Sequence, residues 1–339
     1  MIGIIVLNVL FGIALFLFGM HLMSEHLKKI AGSKAELFLY KLTNAPIKAV
    51  IIGTMITSII QSSSAVSAMT VGLCESKIIK IKQAAPVILG SILGTSVTGW
   101  VVAYSTAEFT QSIAKVFSVS VLSAFFAIIG IVLKLFIKKQ NIKRAGEIML
   151  GFSILMLGIN LITQAINPLK ENEAFISLIS SFNHPLLLFI IGIFIAALLQ
   201  SASASVGIVQ TLSLSSFITV HIAVPLLFGI GIGASVPVLL SAAGRNTDAK
   251  RCAFIYLFIN TSCACIFGVI MLFINILGLN IYDSILLNPI SVSLINTVYR
   301  FLIVLIWLPF SEGLVRISRG FIKQKKRTSL KRNMDSYSS

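Results

Sequence analysis

Long apolar stretches alternate with short polar ones along the chain, and their lengths set the expected architecture. Seven are long enough to cross a bilayer as helices, for which about 20 residues suffice. They lie at 2–23, 84–104, 113–137, 147–166, 222–243, 252–279 and 291–311. Two further apolar stretches, 45–73 and 184–212, are interrupted near the middle by polar blocks. The first reads Gln61-Ser62-Ser63-Ser64-Ala65 and the second Gln200-Ser201-Ala202-Ser203-Ala204. One straight span would put those amides and hydroxyls in hydrocarbon, where an unpartnered polar group costs several kcal/mol.

Charge decides how the interrupted stretches run. Suppose each is a re-entrant hairpin, entering and leaving on the same side. The loops 24–48, 75–83, 138–147 and 245–251 and the tail after 315 then share one side. They hold every basic residue except Lys115, Lys134, Lys170 and Arg300. The opposite loops, 105–112, 167–185, 213–221 and 280–290, hold only Lys170. Basic loops mark the cytoplasmic side. The N-terminus is therefore expected outside and the C-terminus in the cytoplasm, in a multi-pass protein of the cell membrane. A single crossing by 45–73 would put Lys77, Lys80 and Lys82 outside and destroy this asymmetry.

The chain also repeats itself at an offset of 139 residues. Gly19 pairs with Gly158, Asn44 and Pro46 with Asn183 and Pro185, and Gly53 with Gly192. The two polar blocks pair next, then Pro86 with Pro225, Gly90 with Gly229, Gly94 with Gly233 and Ser96 with Ser235. Chance matches between apolar segments favour Leu and Ile, whereas these are Gly, Pro, Gln and Ser. Three spans and one hairpin per unit make the second unit upside down relative to the first. The expected fold is an all-α polytopic membrane protein of two inverted-topology repeats, each with three spans and one re-entrant helical hairpin. The first repeat takes residues 1–140 and the second 141–280. A closing helix at 281–315 and a basic cytoplasmic tail at 316–339 follow.

Composition narrows the function classes. Of the 339 residues 57% are hydrophobic and 11% charged, against about 25% charged in soluble domains. A soluble enzyme and a disordered chain are both excluded. The net charge of +16 reflects loop topology and a basic tail suited to anionic lipid, not nucleic-acid binding. The cysteines Cys74, Cys252, Cys263 and Cys265 have no CxxC spacing and read as small buried hydrophobes. The first apolar run lacks a basic leader and a cleavage site, so it reads as a retained helix. No Walker loop, HExxH or nucleophile elbow supports an enzyme.

Inverted repeats with interrupted helices at matching positions are a signature of secondary transporters. A broken helix offers N–H groups and a positive dipole end to an anion. Its free carbonyls and nearby hydroxyls suit a small hard cation. Beyond each tip lies a second glycine-rich segment, Gly90–Gly99 and its mate Gly229–Pro237, expected as a second helix break. The first carries Thr95, Ser96 and Thr98, and the second carries Ser235. Such small residues also serve close helix packing, but polar tips paired with these segments at one spacing favour a site.

QSSSA, its mate QSASA and the downstream GTSVT resemble the type II sodium/phosphate cotransporters and their bacterial relatives. The resemblance covers about 1–311, and YRFLIVLIWLPF (299–310) is similar to the family's closing span. It implies tips that bind phosphate and sodium. The substrate candidates are Gln61, Ser62, Ser63, Ser64, Gln200, Ser201, Ser203 and, as an intramembrane charge, Arg300. The sodium candidates are Ser64, Thr95, Ser96, Thr98, Ser203 and Ser235. The expected function is sodium-coupled symport of inorganic phosphate, with sodium as coupling ion and no other cofactor. The alternatives are another small anion, an anion channel or a membrane signalling subunit. Partners are phosphate, sodium, the lipid bilayer and at most further copies of the chain. Many bacterial relatives add a helical domain resembling the regulator PhoU, whereas this sequence passes into a basic tail. His21 reads as interfacial, and Asn260 and Asn296 as hydrogen bonds between helices. Arg300 reads as either an anion ligand or a partner of helix carbonyls.

Overall fold

The first helix overruns its expected end. In the computed structural model α1 runs unbroken over Ile2–Leu42, where a loop was expected from residue 24. Residues 24–42 contain no proline, and strong helix formers such as Glu25, Leu27, Lys28, Lys29 and Ala31 extend the helix. The extension is tied down from outside. His26 Nδ1 lies 2.7 Å from Glu147 Oε2, and Lys134 Nζ lies 3.3 Å from the other oxygen of that carboxylate.

The structure describes residues 2–42, 45–106, 119–169, 184–214, 218–278 and 285–323, with no account of the side chains of 2, 32–42, 119, 120, 122, 169 and 275. Asn44, Asn183, Lys115, Lys170 and the tail from 324 onward, on which parts of the repeat and charge arguments draw, lie outside these. The described elements are helical. After α1 come α2 (Pro46–Ile60), α3 (Ser63–Glu75), α4 (Ile81–Ser105), α5 (Val119–Phe136) and α6 (Gln140–Ile166). Then follow α7 (Pro185–Leu199), α8 (Ala202–Ser213), α9 (Val220–Gly233), α10 (Val236–Ala242), α11 (Thr247–Ile276), α12 (Pro289–Trp307) and α13 (Ser311–Phe321).

Six stretches among the described residues are long and apolar enough to cross a membrane. They are Gly3–Ala31, Ile81–Ser105, Gln140–Ile166, Val220–Ala242, Thr247–Ile274 and Pro289–Trp307. Of the expected span 113–137, residues 113–118 lie outside the described residues, and the apolar stretch described there is the shorter Ser123–Phe136. Large apolar side chains such as Leu135, Phe194, Leu198 and Phe273 point outward, as a lipid-facing surface requires. The molecule is an all-α polytopic membrane protein.

Each interrupted stretch is a pair of helices meeting at its glutamine: α2 with α3, and α7 with α8. The helix following each pair packs back onto the pair's first arm, and the contacts recur at an offset of 139. A methyl group added at Gly53 would strike the Val87 carbonyl, and one at Gly192 would strike that of Leu226. Gly90 faces the Val50 carbonyl, and Gly229 that of Phe189. The helices α1 and α6 pack along each other through glycines too, Gly12 against the Gly158 carbonyl and Gly19 against that of Gly151.

Two of the expected breaks differ from one another. The segment 90–99 lies inside α4 as unbroken helix. Its glycines do not interrupt the helix; Gly90 and Gly94 let α4 touch the backbone of α2. The mate segment does break. The helix α9 ends at Gly233, and α10 starts at Val236 with Pro237 in its first turn, where proline's missing donor costs least. The closing span ends at Trp307, short of the expected 311, because Pro309 follows. Ser311–Phe321 then forms a separate helix across the expected boundary at 315. That helix is held by Lys82 Nζ donating to Glu312 at 2.8 Å, by Arg251 Nε donating to the Ile322 carbonyl at 3.0 Å, and by Phe254 stacked on Phe321. The hydrogen bond from Lys82, and then its charge, hold the Glu312 carboxyl below the usual carboxylate range.

The core centres on α4, the most enclosed of the six spans, whose Ile88, Leu89 and Ile92 are fully buried. It packs against α2, α3, α8, α11, α12 and α13. Both helix pairs reach this core, the first through α2 and α3 and the second through α8.

Candidate functional site

At each tip the chain turns through one residue in the left-handed region. Gln61 has φ 58° and ψ 28°, and Gln200 has φ 52° and ψ 26°. A side chain there costs roughly 1–2 kcal/mol that glycine would avoid. Such strain persists where the surroundings enforce it and collects at functional sites. The next residue caps the second arm. Ser62 accepts from the Ala65 N–H at 3.3 Å and Ser201 from the Ala204 N–H at 3.3 Å. These are N-caps of the favoured type, each satisfying one free donor of the helix start. The hydroxyls of Ser62 and Ser64 lie 3.3 Å apart, as do those of Ser201 and Ser203.

The two tips meet. Ser203 Oγ donates to the Gln61 carbonyl at 3.1 Å. From the side, Ser24 of α1 donates to the Ile60 carbonyl at 2.9 Å, fixing α1 against the first tip. Between them lies a cavity of about 500 Å³. From the tips it is lined by Gln61, Ser62, Ser64, Gln200 and Ser201. The helix α1 adds Leu17, His21, Ser24 and Lys28, and Pro237 of the broken α9–α10 segment adds to the wall. Gln61 Oε1 is buried and has no partner among the described residues. Leaving it so costs about 1–3 kcal/mol, which a bound donor or cation would recover.

Other sequence candidates sit away from this lining. Ser63 is buried, its hydroxyl 3.0 Å from the Tyr256 hydroxyl of α11. Ser203 is also buried and joins the tips. Thr95 is turned into its own helix, donating to the Ser91 carbonyl at 3.3 Å. Ser96, Thr98 and Ser235 are buried with hydroxyls unpartnered among the described residues, as is Thr57 of α2. Thr57 lies directly against Gly94, and the sequence reading passed over it.

Arg300 does not line the cavity. Only 1% exposed, it donates through Nε to Asn296 Oδ1 at 2.9 Å and through Nη1 to the Ile92 carbonyl at 3.2 Å. The carbonyl-partner alternative therefore describes its visible bonds, although Nη2 is unpartnered among the described residues. Asn296 holds Arg300 and accepts from Tyr299 at 3.1 Å, while Asn260 donates to the Tyr256 carbonyl of its own helix. His21, read as interfacial, is on the cavity wall, with its Nε2 3.7 Å from Glu25 Oε2.

The α1 wall escaped sequence reasoning because residues 24–48 read as a loop. A signal was present in the spacing: Leu17, His21, Ser24 and Lys28 recur every three to four residues, the period of one helix face. Treated as helix, that stripe turns polar at the depth of the tips.

Two polar helix-pair tips of a helical membrane bundle thus close on one cavity. Residues 15–164 match the model of the Na+/Pi-cotransporter family. Over 320 residues the chain is 22% identical to the putative inorganic phosphate export protein YjbB of Escherichia coli (strain K12), covering 94% of this chain and 56% of that protein. It is 26% identical over 251 residues to the uncharacterized protein YqeW of Bacillus subtilis (strain 168), covering 73% of this chain and 76% of the other. A shorter match, 32% over 78 residues, is to the sodium-dependent phosphate transport protein 2A of Rattus norvegicus, covering 22% and 12%. The chain spans about half the length of the phosphate-export relatives it matches. No solved structure matches it.

Proposed function

We propose that this chain is a secondary active transporter that couples movement of inorganic phosphate to sodium by alternating access across the cell membrane. The observation that carries the reading is the meeting of two tips with the same strained glutamine, the same serine cap and the same hydroxyl pair around one cavity. Amide and hydroxyl donors of Gln61, Ser62, Ser64, Gln200 and Ser201 surround an oxyanion from several sides. Neutral donors hold it reversibly, as a carrier must. Ser63 braces the first tip through Tyr256, and Ser203 braces the two tips together. Arg300 places a positive charge in the core beside α4, bonded to Asn296 and to the Ile92 carbonyl.

Sodium is held by oxygen. Ser64 and Ser203 supply hydroxyls at the tips, and Thr95, Ser96, Thr98 and Ser235 supply them beside. The unpartnered oxygens of Ser96, Thr98 and Ser235 support this assignment, since each carries a desolvation cost that a cation would offset.

In this reading the helix pairs are re-entrant hairpins and the two units are inverted repeats. The α1–α6 glycine contacts support it. A two-fold relation at an offset of 139 turns the contact Gly12–Gly158 into Gly151–Gly19, and both contacts occur. Orientation follows the basic loops. After replacement of the exposed Cys265, a cysteine at Asn167 should react with an impermeant maleimide added to intact cells. One at Lys138 should react only after permeabilisation. The reverse pattern overturns the topology.

The function is tested by radiolabelled phosphate uptake into proteoliposomes. Accumulation should saturate and should vanish when the sodium gradient is collapsed. Uptake indifferent to sodium means a channel or another coupling ion, and failure of phosphate but not of another small anion means a different substrate. Direction follows the gradients imposed, so preloaded vesicles with the sodium gradient reversed should release phosphate.

A further inference from the structure

We infer that Lys28 is the substrate-selecting residue of the tip cavity, the group that makes a neutral site take a multiply charged oxyanion; this rests on the transport reading above. The tips contribute amides and hydroxyls, without formal charge. Among the cavity-lining residues Lys28 alone carries a permanent charge at neutral pH. It is half-buried, and it makes no ion pair or hydrogen bond with any other described residue. Its neighbouring carboxylate is engaged elsewhere: Glu25 lies 2.5 Å from Lys29 Nζ and 3.7 Å from His21 Nε2.

Placement gives Lys28 its role. One turn earlier on the same face, Ser24 is bonded to the Ile60 carbonyl beside Gln61. The stripe that α1 turns to the tips therefore carries Lys28 on the cavity wall, one turn beyond Ser24. An ammonium is a strongly hydrated point charge with three rotatable donors. Partly stripped of water, and with its neighbour Glu25 drawn to Lys29, it attracts an anion more strongly than it would in bulk solvent. The attraction scales with ligand charge, so a phosphate dianion gains twice what a monoanion gains. The sequence repeat offers no second copy: position 167, at the offset of Lys28, is Asn. A single charge therefore sits on one side of an otherwise paired site.

The test is equilibrium binding of radiolabelled phosphate to the purified full chain, run beside uptake in proteoliposomes. Lys28→Gln and Lys28→Met should each weaken phosphate binding about tenfold, the loss expected for one charge-assisted contact in a half-exposed setting. In uptake the loss should appear as a higher KM, with the maximal rate within about twofold. The affinity advantage of the dianion at high pH over the monoanion at low pH should shrink in both variants. Lys28→Arg should restore most of the affinity. Lys138→Gln, exposed and outside the cavity lining, should bind like the parent chain. Unchanged affinity in folded Lys28→Gln and Lys28→Met overturns the inference, and so does absence of phosphate binding by the parent chain. Phosphate binding that depends on Lys28, without sodium-driven uptake, leaves the inference standing and overturns the transport reading alone.

Discussion

Replacing Gln61 or Gln200 with glycine should abolish phosphate transport and at the same time make the protein more stable. The two effects come from different parts of one residue. The backbone of each glutamine is held in the left-handed region, where glycine is free of the side-chain penalty. Relief of that strain should raise stability by about 1 kcal/mol per site. The amide side chain lines the cavity, and in the transport reading its loss removes a donor and an acceptor from the anion's surroundings, at Gln61 through a buried Oε1 and at Gln200 through an exposed amide. Each lost hydrogen bond to an anion is worth roughly 1.5–3 kcal/mol, or about tenfold to a hundredfold in affinity. Gln61→Ala and Gln200→Ala should lose transport equally while keeping the strain, so their melting temperatures should fall below those of the glycine variants. Uptake measurements and thermal melts on the four proteins check this. Normal uptake in the glycine variants would mean that the glutamines only shape the turn.

This opposition also explains what the sequence made legible. QSSSA and QSASA were readable because polar residues inside apolar helices have few explanations, and because their spacing repeated. The residues Gln61, Ser62, Ser64, Gln200 and Ser201 then converge on one cavity. The second glycine segments were harder to read. Gly90–Gly99 and Gly229–Pro237 look alike, yet only the second breaks its helix: Pro86 and Pro225 precede both segments alike, but only the second segment contains a proline of its own, Pro237, just past its last glycine. Glycine permits a break without requiring one, and its partner across the interface decides. The α1 wall was hidden for the opposite reason. Its charged half resembles a loop by composition, and the tertiary pairing of His26 and Lys134 with Glu147 that accompanies the helix is not visible in a local window. Arg300 was recognisable as special but not as a ligand of the Ile92 carbonyl, a contact between residues 208 positions apart.

The second large effect concerns packing. Gly90→Ala and Gly229→Ala should each prevent correct assembly of a helix pair, though each adds a single methyl group. At both positions that methyl would overlap a backbone carbonyl, of Val50 in one unit and Phe189 in the other. Flexible side chains can move aside, but a carbonyl inside a helix cannot move without the whole arm. The arms α2 and α7 would have to back away from α4 and α9, carrying Gln61 and Gln200 with them. Overpacking of this kind costs about 1–3 kcal/mol where side chains absorb it, and more where backbone must shift. Because α2 and α7 end in the tips, even a protein that stays folded should lose phosphate affinity. Gly268→Ala provides the control, since nothing lies within 4 Å of an added methyl there, and it should be nearly silent. Yield of monodisperse protein in detergent and phosphate binding by the recovered fraction measure the two consequences separately. Equal behaviour of Gly90→Ala and Gly268→Ala would mean that α2 and α4 are not in backbone contact in the membrane. If the two units are packed by one rule, Gly90→Ala and Gly229→Ala should fail alike, and a large difference between them would argue that only one hairpin depends on this contact to hold its tip.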